Sequence, residues 1–227
     1  VERFKADSGT AVVMDPHTGE IYAMANVPQF NPNHYGAFSQ KVWKNNIVAS
    51  SYEPGSIFKP IVAAAALDKE LARPNDIYFC ENGKLKIGNA NIGEASDHKF
   101  GWMTMNDIIA KSSNIGVIKI AQQVGKKPFY EYIRKFGFGK KTGLSLPGES
   151  AGQLKEQKNW SNLSLASISF GHEIAVTPIQ MVSALSAIAN GGNLMEPHIT
   201  KALIKNGKVV QQFKPKKIRR VISEKAS

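Results

Sequence analysis

The sequence predicts an α/β (α+β) fold in which an antiparallel sheet is flanked by helices. Strand-like runs around turn residues occur near both ends, and five or so segments between them carry helix start and stop signals. With 227 residues at 42% hydrophobic composition, the chain is long enough to bury a core.

The first hairpin is read from Gly9–Met14 and Glu20–Ala25, two strand-like runs flanking the turn-forming Asp15-Pro-His-Thr-Gly19. After a polar loop comes P-G-S-I-F-K-P-I-V-A-A-A-A-L-D, whose alanines favour a helix beyond its first turn. Residues 73 to 103 show no sustained period, so loops and short strands are expected there. Thr104-Met-Asn-Asp107 opens a helix carrying Ile108, Ile109 and Ala110. The polar break K-S-S-N interrupts it, and a second helix runs from Ile115 to Val124 and stops at Gly125.

Lys127–Phe136 reads as a further short helix, with Pro128 in its first turn and Gly137 at its end. Thr177-Pro-Ile-Gln180 spells a capping box with proline at the first helical position. Its helix is expected to show Met181, Val182, Leu185 and Ile188 on one side and to end at Asn190-Gly-Gly192. Ile199 to Phe213 is a second hairpin turned at Asn206-Gly207. Two hairpins alone make a marginal sheet, and Ser223-Glu-Lys resembles a helix start, so the chain reads as cut short.

Composition excludes some classes of function. Cys80 is the sole cysteine, so no internal disulfide forms, and the five histidines are scattered without metal-ligand spacing. No metal or other cofactor is expected. No apolar run approaches the roughly 18 residues of a membrane span. The net charge of +11 favours anionic partners, or simply solubility. The densest basic run, Lys214 to Arg220, lacks interleaved aromatics, which argues against a nucleic-acid platform.

The candidate nucleophile lies in Glu53-Pro-Gly-Ser-Ile-Phe-Lys-Pro60, where Ser56-x-x-Lys59 sits at the mouth of the alanine-rich helix. Spacing i, i+3 places both side chains on one helical face. A serine hydroxyl needs a neighbour to take its proton, and lysine does so only when neutral. Its ordinary pKa of about 10.4 must therefore fall by roughly 2–3 units through burial or cationic neighbours. The helix N-terminus favours negative charge developing nearby. Pro60 removes an N–H that would otherwise bond the Ser56 carbonyl, which leaves the first turn irregular.

The second element is Ser112-Ser113-Asn114 between two predicted helices. Such a triplet serves as a helix cap, or turns a Ser/Asn pair into a cleft to relay protons and hold an amide.

Taken in order, V-V-M-D-P-H-T-G-E-I-Y-A-M-A-N, Y-E-P-G-S-I-F-K-P, K-S-S-N-I-G, F-G-F-G-K-K-T-G-L-S-L-P-G-E, S-F-G-H-E-I-A-V-T-P-I-Q-M and A-I-A-N-G-G cover nearly the whole chain. This series resembles the transpeptidase domain of class B penicillin-binding proteins, of the cell-division and sporulation types. The resemblance implies the serine β-lactamase/penicillin-binding-protein-like fold and a D,D-transpeptidase. Ser56 would be the acylated nucleophile and Lys59 its general base. Ser112 would lie near the proton path, Asn114 would contact the substrate amide, and Ser113 would be the variable middle position.

The implied partners are peptidoglycan stem peptides ending in D-Ala-D-Ala, β-lactam antibiotics and a wall-synthesis complex with a glycosyltransferase. The implied location is the outer face of a bacterial cell membrane. The family's catalytic K-T-G follows the second hairpin and another helix, and no K-T-G occurs here after Gly143. Lys141-Thr142-Gly143 matches a turn-rich connector instead. The expectation is therefore a transpeptidase domain over residues 1–227 without its K-T-G strand, its membrane anchor or its pedestal domain. A β-lactam-sensing receptor and an inactive scaffold of the same fold are the alternatives.

Overall fold

Both hairpins form where their turns dictate. The computed structural model describes residues 1–227, and strands β1 (Gly9–Met14) and β2 (Ile21–Val27) pair antiparallel near its start. The Asp15 carboxylate between them accepts the His17 and Thr18 N–H groups at 2.7 and 3.2 Å, a side-chain turn that sets the reversal.

A short helix α1 (Asn46–Ala49) and a 3₁₀ turn (Gly55–Phe58) lead into α2 (Lys59–Asp68). The irregular first turn is as expected: the Ser56 carbonyl takes the Lys59 N–H in a 3₁₀ bond, because Pro60 has none to offer. Alanine keeps α2 thin, so it is buried along Ile61, Val62, Ala64, Ala65 and Ala66 at the centre of the core.

Residues 73 to 103 are short strands and turns, as the missing periodicity predicts. They hold β3 (Ile77–Phe79), β4 (Lys84–Ile87), β5 (Ala90–Gly93) and β6 (Trp102–Thr104), paired β3 with β6 and β4 with β5. Then come α3 (Met105–Ala110), α4 (Asn114–Val124) and α5 (Lys126–Lys135). The Thr104 hydroxyl caps α3 by accepting the Asp107 N–H. Beyond them, β7 (Gln153–Leu154) pairs with β8 (Ile174–Ala175) around α6 (Ser164–Ser169).

Helix α7 (Pro178–Ala189) begins with the full capping box. Thr177 Oγ1 accepts the Gln180 N–H while Gln180 Oε1 accepts the Thr177 N–H. The Gln180 amide also donates to the Lys140 and Ala151 carbonyls, pinning the connector that carries K-K-T-G. The buried face of α7 differs from the expected one. It is Ile179, Gln180, Ser183, Ala184, Ser186 and Ala187, with Met181 buried beside it, while Leu185 is exposed and Val182 and Ile188 are half-buried. Beyond its first turn, small side chains at Ser183, Ala184, Ser186 and Ala187 let α7 press against its neighbours.

The chain finishes with β9 (Asn193–Met195), the hairpin β10 (Ala202–Lys205) and β11 (Lys208–Gln212), and β12 (Lys217–Arg220). The hairpin turns through Asn206 and Gly207, both at positive φ, as a two-residue loop requires. Six two-stranded ladders result in place of one larger sheet. The basic run is partly structural: Arg219 donates to the Lys135 and Arg134 carbonyls at the end of α5, and Arg220 to the Gly191 carbonyl after α7.

Replacing Thr177 with valine keeps the shape and removes the cap. It is expected to cost about 1–2 kcal/mol and lower Tm by several degrees in calorimetry. Thr177→Ser, which retains the hydroxyl, is expected to stay within about 1 kcal/mol of the parent.

Candidate active site

Helix α3 ends in a Schellman motif, with the Ser112 N–H bonded to the Ile109 carbonyl and the Ser113 N–H to the Ile108 carbonyl. The left-handed position of that motif usually belongs to glycine. Here Ser112 occupies it at φ 58°, a conformation that costs a non-glycine residue energy and is concentrated at functional sites. The next residue, Ser113, is fully buried and caps α4 by accepting the Gly116 N–H at 2.9 Å. The polar triplet is thus the end of one helix fused to the start of the next.

Lys59 reaches this junction from α2. Its side chain is 2% exposed, and its ammonium donates to the Ser112 carbonyl, to Ser112 Oγ at 3.0 Å and to Asn114 Oδ1 at 2.8 Å. All three donors of a protonated lysine are then used. Burial pushes the Lys59 pKa down to about 8, with the Glu94 carboxylate pulling the other way. A neutral Lys59 keeps two N–H donors for the Ser112 carbonyl and Asn114 Oδ1. Its lone pair is then free to accept from a hydroxyl, and Ser112 Oγ is one within reach.

Three of the four predicted site residues, Lys59, Ser112 and Asn114, are therefore joined in one hydrogen-bonded cluster. Ser56 stands one turn before Lys59, on the 3₁₀ turn that leads into α2. Its side chain is exposed and unbonded to Lys59. Its N–H lies in the first turn, where no helical carbonyl satisfies it. Asn114 donates one amide hydrogen to the Gly93 carbonyl at 3.1 Å, which leaves the second for a ligand.

Sequence reasoning missed what braces the turn that carries Ser56. The Gly55 N–H donates to the Gly171 carbonyl at 3.1 Å, and Tyr52 and Val176 exchange two backbone bonds. The Glu53 carboxylate accepts the Glu173 N–H at 3.0 Å and lies 2.8 Å from His172 Nδ1, contacts that hold its pKa below the ordinary value. Residues 171–176 thus run along 52–55, directly before Ser56. The spelling S-F-G-H-E-I carries this signal only through glycine: a Cβ on Gly171 would lie 2.2 Å from the Gly55 carbonyl oxygen.

Lys141-Thr142-Gly143 is elsewhere. The segment is not a strand, and the buried Glu149 carboxylate binds the Thr142 N–H and hydroxyl and faces the Gly143 N–H at 3.3 Å. Lys141 and Thr142 border a small cavity with Gln180, Ser183 and Leu194, away from Lys59. No three His, Cys, Asp or Glu side chains gather to hold a metal ion, and no helix is long and apolar enough to cross a membrane.

The penicillin binding protein transpeptidase domain family matches residues 9–227. The chain belongs to this family. It is 36% identical to stage V sporulation protein D of Bacillus subtilis, covering 99% of this chain and 35% of that protein. It is 35% identical to the probable peptidoglycan D,D-transpeptidase PbpC of Pseudomonas aeruginosa, covering 97% of this chain and 39% of that one. The fold matches penicillin-binding protein 3 of Mycobacterium tuberculosis, solved in complex with ampicillin, at a TM-score of 0.89 and 35% identity over 97% of this chain and 49% of that one. The chain spans about a third of the length of the curated relatives it matches. The resemblance read from the six blocks, and the fold it implies, are both supported.

Gly171→Ala is expected to shift the turn that carries Ser56, because the new methyl meets the Gly55 backbone at 2.2 Å and the residue has φ 83°. Strain of this kind costs about 1–3 kcal/mol. Calorimetry should show a lowered Tm, and limited proteolysis should cut faster near residues 50–56.

Proposed function

We propose that this chain carries the acylating core of a peptidoglycan D,D-transpeptidase, with Ser56 as nucleophile and Lys59 as general base. The observation that carries this reading is the buried Lys59 amine, held by Ser112 and Asn114 one turn from an exposed serine. Lys59 in its neutral form takes the Ser56 proton as Oγ attacks the penultimate D-Ala carbonyl of a stem peptide. The oxyanion forms at the start of the turn, where the Ser56 N–H donates to it. Collapse breaks the peptide bond, and the departing D-Ala amine takes a proton from Lys59 through Ser112. An amine from a second stem then attacks the acyl-enzyme, restores Ser56 and leaves the cross-link.

A β-lactam presents the same carbonyl in a ring, so attack opens the ring and the leaving group stays tethered to the acyl chain. The ampicillin complex of the Mycobacterium tuberculosis relative supports β-lactams as ligands of this site. Relatives named as peptidoglycan D,D-transpeptidases favour an enzyme over a receptor or a scaffold. By the same likeness, action at the outer face of a bacterial membrane beside a glycosyltransferase belongs to this proposal. The K-T-G at Lys141–Gly143 lies in a connector and not on a strand, so it supplies no second oxyanion donor in this proposal.

The test uses the full-length protein and a fluorescent penicillin. Covalent labelling is expected for the parent and is expected to vanish in Ser56→Ala; labelling that persists in Ser56→Ala sinks the nucleophile assignment. Lys59→Ala is expected to slow acylation by about 10²–10⁴-fold. Release of D-Ala from a stem peptide separates an enzyme from a receptor, which would label without release.

The pH dependence follows from the lowered Lys59 value. Acylation needs neutral Lys59, so its rate is expected to rise with pH and level off above about 8. Below that midpoint it should fall about tenfold per pH unit. A rate still climbing steeply between pH 9 and 10 contradicts the assignment.

A further inference from the structure

Glu94 belongs to none of the motifs, yet it meets the start of α4 end-on. One carboxylate oxygen accepts the Ser113 hydroxyl at 2.6 Å and faces the Ile115 N–H at 3.4 Å, while the other accepts the Asn114 N–H at 2.5 Å. These N–H groups are ones that the helix itself leaves unsatisfied. The anion also faces the positive end of an eleven-residue helix. Its neighbour Gly93 accepts the Asn114 side-chain amide at 3.1 Å. Asn114 is therefore fixed through its backbone and its side chain by two adjacent residues, which leaves Oδ1 aimed at Lys59.

We propose that Glu94 is a positioning residue of this site. It clamps the α3–α4 junction so that Ser112 and Asn114 stay seated on the Lys59 amine, and it supplies a fixed negative charge beside that amine. The idea rests on the acyl-enzyme reading for its consequence and on the hydrogen bonds alone for its geometry.

The charge has a consequence of definite sign. An anion near Lys59 favours its protonated form, so Glu94 opposes the effect of burial. Removing the charge lowers the Lys59 pKa and moves the acid limb of acylation to lower pH. Removing the clamp lowers the maximal rate. Other charged or titratable groups surround the carboxylate. Cys80, Glu81 and Lys119 stand behind it, the last two as an ion pair. Lys84, Asp97, His98 and Lys99 share its outer cleft. All are unchanged in a Glu94 variant, so a shift between parent and variant reports on Glu94.

The test compares Glu94→Gln and Glu94→Asp with the parent, in the full-length protein. Glutamine keeps the size, loses the charge and replaces one acceptor with a donor. With fluorescent penicillin, Glu94→Gln is expected to reach a maximal acylation rate about tenfold lower, the scale of one lost charge-assisted hydrogen bond. Its acid limb should lie at lower pH, and Glu94→Asp should bring the limb back towards the parent. A Glu94→Gln profile that superimposes on the parent in rate and limb overturns the proposal, and so does a uniform loss of rate with the limb unmoved, which a plain helix cap would give. An independent readout needs no activity: the Asn114 and Ile115 amide resonances should move upfield in Glu94→Gln, and unmoved resonances overturn the clamp. Should the parent fail to label, the acyl-enzyme reading falls while the amide shifts still decide the role of Glu94.

Discussion

The rest of the structure depends on one buried amine. Lys59 is almost wholly removed from water, and its charge is tolerable only because three oxygens from a distant helix junction meet it. Burying an ammonium without partners is expensive, so the α3–α4 junction and the start of α2 stabilise each other. The same burial that threatens stability gives the lysine a proton it can release near pH 8. Cost and function are two consequences of one placement.

Much of the surrounding architecture serves that placement. Alanines along α2 let helices α4, α5 and α7 close around it, and the backbone bonds between residues 52–55 and 171–176 hold the serine turn at its mouth. Ser112 accepts a left-handed backbone so that its carbonyl and its hydroxyl both face the amine. A glycine there would satisfy the Schellman geometry at less cost and would leave the amine without that hydroxyl.

Features encoded by near neighbours were legible in the sequence. The Thr177–Gln180 capping box, the Asn206-Gly207 hairpin and the irregular turn before Pro60 all appear where local chemistry demands them. Ser56 and Lys59 could be singled out because their spacing is itself local. Two kinds of information were not local. Pairing of β9 with β12 joins segments separated by the whole second hairpin, so no periodicity announces it. Glu94 lies in an aperiodic stretch twenty residues before the helix it caps, where one acidic residue looks like any other. The inner face of α7 misled for a further reason: serines and alanines pack there because they are small, and a search for large apolar residues passes over them.

The central claim is that Lys59 holds its proton weakly enough to act as a base. Heteronuclear NMR titration of the Lys59 side chain in a lysine-labelled chain tests this without any substrate. A midpoint near pH 8 is the expected result, and a midpoint at the ordinary lysine value of about 10.4 would contradict the account.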